Sequence, residues 1–145
     1  MIGLIQRVTH AKVVVNDVNI AEIDSGILLL LGVEKQDTEQ NAKNLFNKII
    51  HFRIFEDEHQ KMNQSLIDIK GSFLVVPQFT LPADTQKGTR PSFASAAPAA
   101  IGEKLYDHFV DLSKKNLANV QTGQFGADMK VSLTNDGPVT FWLQK

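Results

Sequence analysis

Residues 27–33 read Ile-Leu-Leu-Leu-Leu-Gly-Val, a run without one polar side chain. A run this short and this apolar is a strand covered on both faces. Apolar material must therefore lie on each side of it. The neighbouring segments give that strand its company. Residues 2–15 are β-rich, Asn16-Asp17 is a turn signal, and 18–23 return as a second strand before the Asp24-Ser25-Gly26 turn. Residues 72–79 are another apolar strand, and 120–122 a short one.

Two helices interrupt the strands. The first is expected over about 38–52: Asp37 can cap it, Gln40 stands three residues on as in a capping box, and Ala42, Leu45, Phe46, Ile49 and Ile50 share one face. The second is expected over about 98–115. Pro98 suits a first turn, Ile101, Leu105, Phe109 and Leu112 form the stripe, and Lys114-Lys115 complement the C-terminal dipole. Residues 53–55 are a short strand candidate, 56–61 a charged loop and 62–66 irregular. Between the strand at 72–79 and the second helix, residues 81–92 carry Pro82, Asp84, Gly88 and Pro91 and form a long loop, the kind of segment that often carries function. There is no repeat and no linker. The class is α+β, one domain over residues 1–145, mostly β.

The last stretch reads as strand, break, strand. Met129, Val131 and Leu133 alternate with polar residues, as do Val139, Phe141 and Leu143, and Asn135-Asp136-Gly137-Pro138 stands between. Those four residues form an ordinary turn or, functionally, a wedge of backbone without flexible side chains, aimed into a pocket.

Composition narrows the chemistry. The absence of cysteine excludes disulfides, thiolate metal sites and a Cys nucleophile. The net charge of −1, from 15 Lys+Arg and 16 Asp+Glu, argues against a protein that coats DNA through phosphates and leaves room for recognition of one RNA end. The longest apolar run is too short to span a bilayer, and no signal peptide is visible, so a cytoplasmic protein without membrane contact is expected. His10, His51, His59 and His108 have no metal-ligand spacing, and no phosphate-binding fingerprint occurs, so neither metal nor cofactor is expected. Gly123-Gln124-Phe125-Gly126 is a glycine-flanked aromatic turn that could line a cleft. Thr80 ends a strand at the mouth of the long loop, and Ser92 follows Arg90-Pro91; neither has a His or Lys base at hand in sequence, and turn-forming or capping roles suit both.

Several of these segments together resemble one family, the D-aminoacyl-tRNA deacylases. They are Gln6-Arg7-Val8, Gly32-Val33, Lys61-Met62-Asn63, Gln78-Phe79-Thr80-Leu81, Ala83-Asp84, residues 87–93, 122–127 and 135–140. In this order and at this length the set is specific, and it covers the chain end to end. The resemblance implies a homodimer whose sheets curl into a barrel-like body, with the active site at the subunit interface. It implies hydrolysis of the ester between a D-amino acid, or glycine, and the 3′ end of tRNA. The residues it marks as catalytic are Gln78, Phe79 and Thr80. It implies a cis Gly137-Pro138 bond that enters the partner's pocket and excludes L side chains. Pro77, Phe125, Ala127 and Met129 would wall the substrate pocket. The family's Ser before Gln-Phe-Thr is Pro77 here, and its Gly before Lys61 is Gln60. The lost serine and the missing base keep an alternative open: a non-catalytic, nucleic-acid-associated binding protein on the same scaffold.

Overall fold

The computed structural model describes all residues, Met1–Lys145. Strand β1 (Ile2–Val15) is the spine. The chain reverses at Asn16 and Asp17, both in the left-handed region at φ 49° and 63°, which suits a tight hairpin between twisted strands. It returns as β2 (Val18–Ile23) and then β3 (Gly26–Gly32), which run antiparallel along successive halves of β1. Strand β6 (Ser72–Pro77) adds parallel to β3, and β7 (Val120–Thr122) parallel to β6. The small hairpin β4 (Phe55–Glu56) and β5 (Met62–Gln64) stands apart. It gives strand structure to residues read from sequence as irregular.

Strand β8 (Lys130–Gln144) covers the other flank of β1. The expected strand-break-strand is thus a single strand of 15 residues. The reason is the common partner: both halves of β8 pair with β1. Between the pairs Val8↔Asn135 and Gln6↔Thr140, β1 advances 8 − 6 = 2 residues while β8 advances 140 − 135 = 5. The excess is absorbed as a bulge at the Asn-Asp-Gly-Pro residues, so the ladder is interrupted without ending.

The single domain is a strongly curled, nearly closed, barrel-like sheet, with β2 brought against β6 and β7. Helices α1 (Glu39–Ile50) and α2 (Ala99–Asn116) pack on its outer face, close to their expected spans. The apolar run at 27–33 is covered on both sides as its composition requires. Ile27, Leu29 and Leu31 join Phe73, Val75, Phe46 and Phe109 under the helices. Leu28 joins Val8, Val13, Leu74 and Val76 inside the curl.

The α1 cap lies one residue later than expected. Thr38 is the N-cap and exchanges hydrogen bonds with Asn41, while the Asp37 carboxylate accepts the Glu34 N–H at 2.6 Å and pairs with the Met1 ammonium. Both Asp37 and Thr38 can cap, and the choice is made by a group 36 residues away.

The β4–β5 loop explains the second departure from the family pattern. Asp57 accepts the N–H groups of His59 and Lys61 and the Asn63 amide, with the Lys61 bond foremost in holding its carboxyl below the ordinary value. This folds Gln60 into φ +58°, where an L side chain is strained. Gln60→Gly is expected to stabilise the fold by about 0.5–1 kcal/mol, raising Tm by roughly 2–3 °C in a thermal melt. An unchanged or lower Tm would contradict that assignment of strain.

Candidate functional site

A cleft of about 700 Å³ opens beyond the C-terminal ends of the parallel strands β3 and β6, the edge at which side-by-side strands leave room for a ligand. Its far boundary is the long irregular segment after β6. Hydrogen bonds between Asp84 and Ser92 (2.8 and 3.0 Å) pinch that segment into a loop, and Lys35 N–H to Ser95 O and Ala97 N–H to Val33 O tie its end to β3. Phe79 and Phe93 are thereby placed with ring centroids 5.4 Å apart on the cleft wall, both exposed. The N-terminus of α2 enters from the same side, with no side chain capping it and no acidic residue in its first turn. Its positive dipole end therefore faces the cleft.

Of the expected site residues, Pro77, Gln78, Phe79, Phe125, Ala127 and Met129 all line this cleft. Pro77 ends β6, as a residue without an N–H must in a strand paired on both sides. Thr80 stands just past the lining, with its Oγ1 accepting the Gln78 Nε2 amide at 2.5 Å. That leaves the Thr80 hydroxyl proton free to donate. No carboxylate, imidazole or amine accepts it, so the hydroxyl is a donor and lacks what a nucleophile needs. The backbone N–H groups of Phe79 and Thr80 make no internal hydrogen bond either. Two adjacent amides and one hydroxyl are thus available to a developing negative oxygen.

The facing wall is the turn at 123–129. Gly123 leaves room there for its neighbours, since a Cβ would lie 2.9 Å from Met129 Sδ and 3.2 Å from Pro77 Cδ. Phe125 packs over Gly102 of α2, where a Cβ would come within 3.5 Å of its ring, and lies 6.0 Å from the Tyr106 ring. Tyr106 is buried, and its hydroxyl reaches Val75 O at 3.0 Å and Gly123 O at 3.2 Å. Burial first, then the Asp107 charge, push its phenol well above the ordinary value, so it stays a neutral donor at neutral pH.

Gly137 and Pro138 do not line the cleft of their own chain. Val131, the cleft-lining residue of β8 nearest to this segment, stands six residues before Gly137, at most roughly 20 Å at about 3.3 Å per residue of extended strand. The Gly137–Pro138 peptide is cis, with Gly137 at φ +136° and both residues exposed. Asn135, read from sequence as a turn residue, and Arg7, given no individual role there, build this segment. Asn135 bridges the bulge: its Oδ1 accepts the Val139 N–H at 2.6 Å, and its Nδ2 donates to Val139 O and Thr140 Oγ1. Arg7, only 6 % exposed, donates Nε–H to Asp136 O at 3.0 Å and Nη1–H to Ile54 O at 2.7 Å, and pairs with the Asp136 carboxylate at 3.3 Å. Beyond its place in the Gln6-Arg7-Val8 segment, the sequence signal for Arg7 was its phase: it alternates with Gly3 and Ile5 on the face of β1 that packs under the helices. Phe93, Lys35 and Tyr106 also line the cleft without having been expected there. No cluster of three or more His, Asp or Glu could hold a metal ion, and no helix is long and apolar enough to cross a membrane.

A family model described as "D-Tyr-tRNA(Tyr) deacylase" matches residues 4–144. The chain is 56% identical over 144 residues to the D-aminoacyl-tRNA deacylase of Proteus mirabilis, covering 99% of each chain. It is 55% identical over 141 residues to that of Francisella tularensis, covering 97% of each. Among solved structures, one named "c-Myc DNA Unwinding Element Binding Protein" superposes with a TM-score of 0.96 at 38% identity over 100% of this chain and 99% of its own. Another, described as "a probable eukaryotic D-amino acid tRNA deacylase", superposes at 0.86 over 99% of this chain and 98% of its own, and at 18% identity carries the fold alone.

Proposed function

The chain belongs to the D-Tyr-tRNA(Tyr) deacylase family, and from that premise we propose that it hydrolyses the ester of D-aminoacyl-tRNA to free D-amino acid and tRNA. The observation that carries this is the adjacency of Phe79 N–H, Thr80 N–H and the Thr80 hydroxyl, all free to donate, at the edge of an apolar cleft. An aminoacyl ester is already activated, so positioning, a water and modest charge stabilisation suffice. Water adds to the ester carbon, the carbonyl oxygen takes negative charge beside the Phe79 and Thr80 donors, and the bond to the ribose 3′-oxygen breaks. The proton lost by water passes to that 3′-oxygen with help from the neighbouring 2′-hydroxyl, since no protein base is at hand. The terminal adenosine rests between Pro77 and the Phe125–Met129 wall.

Chirality enters through Gly137–Pro138. The segment stands six strand residues beyond Val131, the nearest β8 residue lining its own cleft, so it serves a cleft only if a second copy presents it. The proposed assembly is therefore a homodimer with each site shared between subunits. The segment's backbone, clamped by Asn135 and Arg7, excludes an L side chain and tolerates the D arrangement or the bare hydrogen of glycine. Glycyl-tRNA is then a second substrate. The place of action is the cytoplasm, where charged tRNA is found.

The test is hydrolysis of D-Tyr-tRNA and Gly-tRNA against L-Tyr-tRNA. The D and glycyl esters should be cleaved and the L ester cleaved at least about 100-fold more slowly, a difference of ~2.7 kcal/mol. Equal D and L rates, or no cleavage of any ester, would sink the proposal. A tRNA ending in 2′-deoxyadenosine should be cleaved much more slowly, and Thr80→Ala should retain part of the activity.

A second reading is favoured by one observation, the name of the structure at 38% identity. It is a DNA-binding role without turnover. The net charge of −1 weighs against it. Tight duplex binding at physiological salt by a protein inactive on all charged tRNAs would establish it.

A further inference from the structure

With the cleft read as the deacylation site, the separation of its two walls sets how the substrate is held. Strands β6 and β7 are paired only as far as Val75↔Thr122. Past that point Pro77 has no N–H with which to continue the ladder. The last links between the walls lie at Val75 and Gly123. Val75 O accepts Gly123 N–H at 2.8 Å and also the Tyr106 hydroxyl at 3.0 Å. Gly123 O accepts Tyr106 at 3.2 Å and no other donor. Beyond this knot the chains part, β6 toward Gln78 and Thr80, the turn toward Phe125 and Met129.

We propose that Tyr106 is a positioning residue for deacylation: its hydroxyl, shared between Val75 O on one wall and Gly123 O on the other, sets the width of the slot that takes the terminal adenosine. Tyr106 reaches neither Thr80 nor the free amides beside it, so it acts through the walls. It arises from α2 one turn after Gly102, whose missing side chain lets the Phe125 ring settle against the Tyr106 ring. One helix face thus fixes both the root of the turn and its aromatic tip. A phenylalanine at this position keeps the buried ring and removes only the link. Val75 O retains the Gly123 N–H, while Gly123 O is left unpaired and the turn relaxes away from β6.

The test is steady-state hydrolysis of D-Tyr-tRNA and Gly-tRNA by Tyr106→Phe. The lost link weakens the grip on the adenosine equally in ground and transition states, so KM should rise about 10-fold with kcat within roughly 2-fold. The rise should be the same for both esters, because they share the adenosine. Amide hydrogen exchange should quicken at residues 124–127. Ser113→Ala is the control for a merely structural effect. It also removes a buried hydroxyl from α2, one that bonds Phe109 O at 2.8 Å within the helix, and it should lower Tm without moving KM. An unchanged KM in Tyr106→Phe, an equal rise in Ser113→Ala, or a loss confined to kcat would each overturn the inference. Phe125→Ala separates this failure from that of the site itself. If it too leaves KM unchanged, the cleft does not hold the substrate; if it raises KM while Tyr106→Phe does not, only the role of Tyr106 is lost.

Discussion

Gly137→Ala is expected to lower kcat/KM on D-aminoacyl-tRNA by about 100-fold, the effect of displacing a binding group by roughly 1 Å. A Cβ built on Gly137 lies 2.6 Å from Val139 Cγ2, 3.1 Å from Val139 N and 3.2 Å from Arg7 Nη2. Val139 is buried in the helix-facing core and Arg7 is held at both ends, so neither can yield. The backbone is also at φ +136°, outside what alanine tolerates. The strain costs about 1–3 kcal/mol of stability as well, so activity must be read well below Tm. A kcat/KM within about 3-fold of the parent would exclude the segment from the site. The inter-subunit arrangement has its own test. Gly137→Ala spoils the donated segment and leaves the cleft intact; Thr80→Ala does the reverse. Refolding the two together gives mixed dimers in about half of cases, each with one site of two intact, so activity should recover to about a quarter of the parent beyond the residual of either variant. No recovery would mean that Gly137 acts within its own chain or not at all.

Arg7→Met is expected to cost about 2–4 kcal/mol, the largest stability effect among the substitutions considered. The guanidinium is the donor to Ile54 O and Asp136 O and the partner of the Asp136 carboxylate, all from a buried position. Methionine fills much the same length and donates nothing, leaving those carbonyls short of a partner. Urea unfolding should show a lower midpoint with an unchanged slope. Arg7→Lys should recover little, because one ammonium cannot donate along two directions set by a planar fork. Recovery by lysine to within about 0.5 kcal/mol of the parent would show that charge alone is what the site uses. The same variants should lose D/L discrimination ahead of global unfolding, since Asp136 adjoins Gly137.

The elements of the fold were legible wherever one segment carries its own signal. The apolar run at 27–33 could be nothing but a doubly covered strand, and Leu28 and Leu29 do face opposite cores. The helices announced themselves through 3.6-residue stripes, and their ends fell within one or two residues. The glycine-flanked turn around Phe125 was marked as a cleft candidate by its own residues, whereas Pro77–Phe79 and Met129 were marked only through the resemblance to the family, and the cleft lies where those segments meet. Two local readings misled. Asn-Asp-Gly-Pro has turn chemistry, yet both flanks pair with β1 and the turn becomes a bulge. Asp37 has capping chemistry, yet the chain's own N-terminus claims it.

The sequence by itself determined the principal strands, the helices and, through its motifs, the family, while β5 and the continuity of β8 were not legible in it. Periodicity and turn chemistry act over a few residues and can be read there. The tertiary structure alone decided that Arg7 braces Asp136 across 129 positions, that Tyr106 spans Val75 and Gly123 across 31 and 17, and that Gly137 stands away from the cleft of its own chain. These are contacts between groups that nothing in the local pattern relates. They arise only when a curled sheet brings distant strands into register, and the Gly137–Pro138 bulge is defined less by its own four residues than by the strand it must stay paired to.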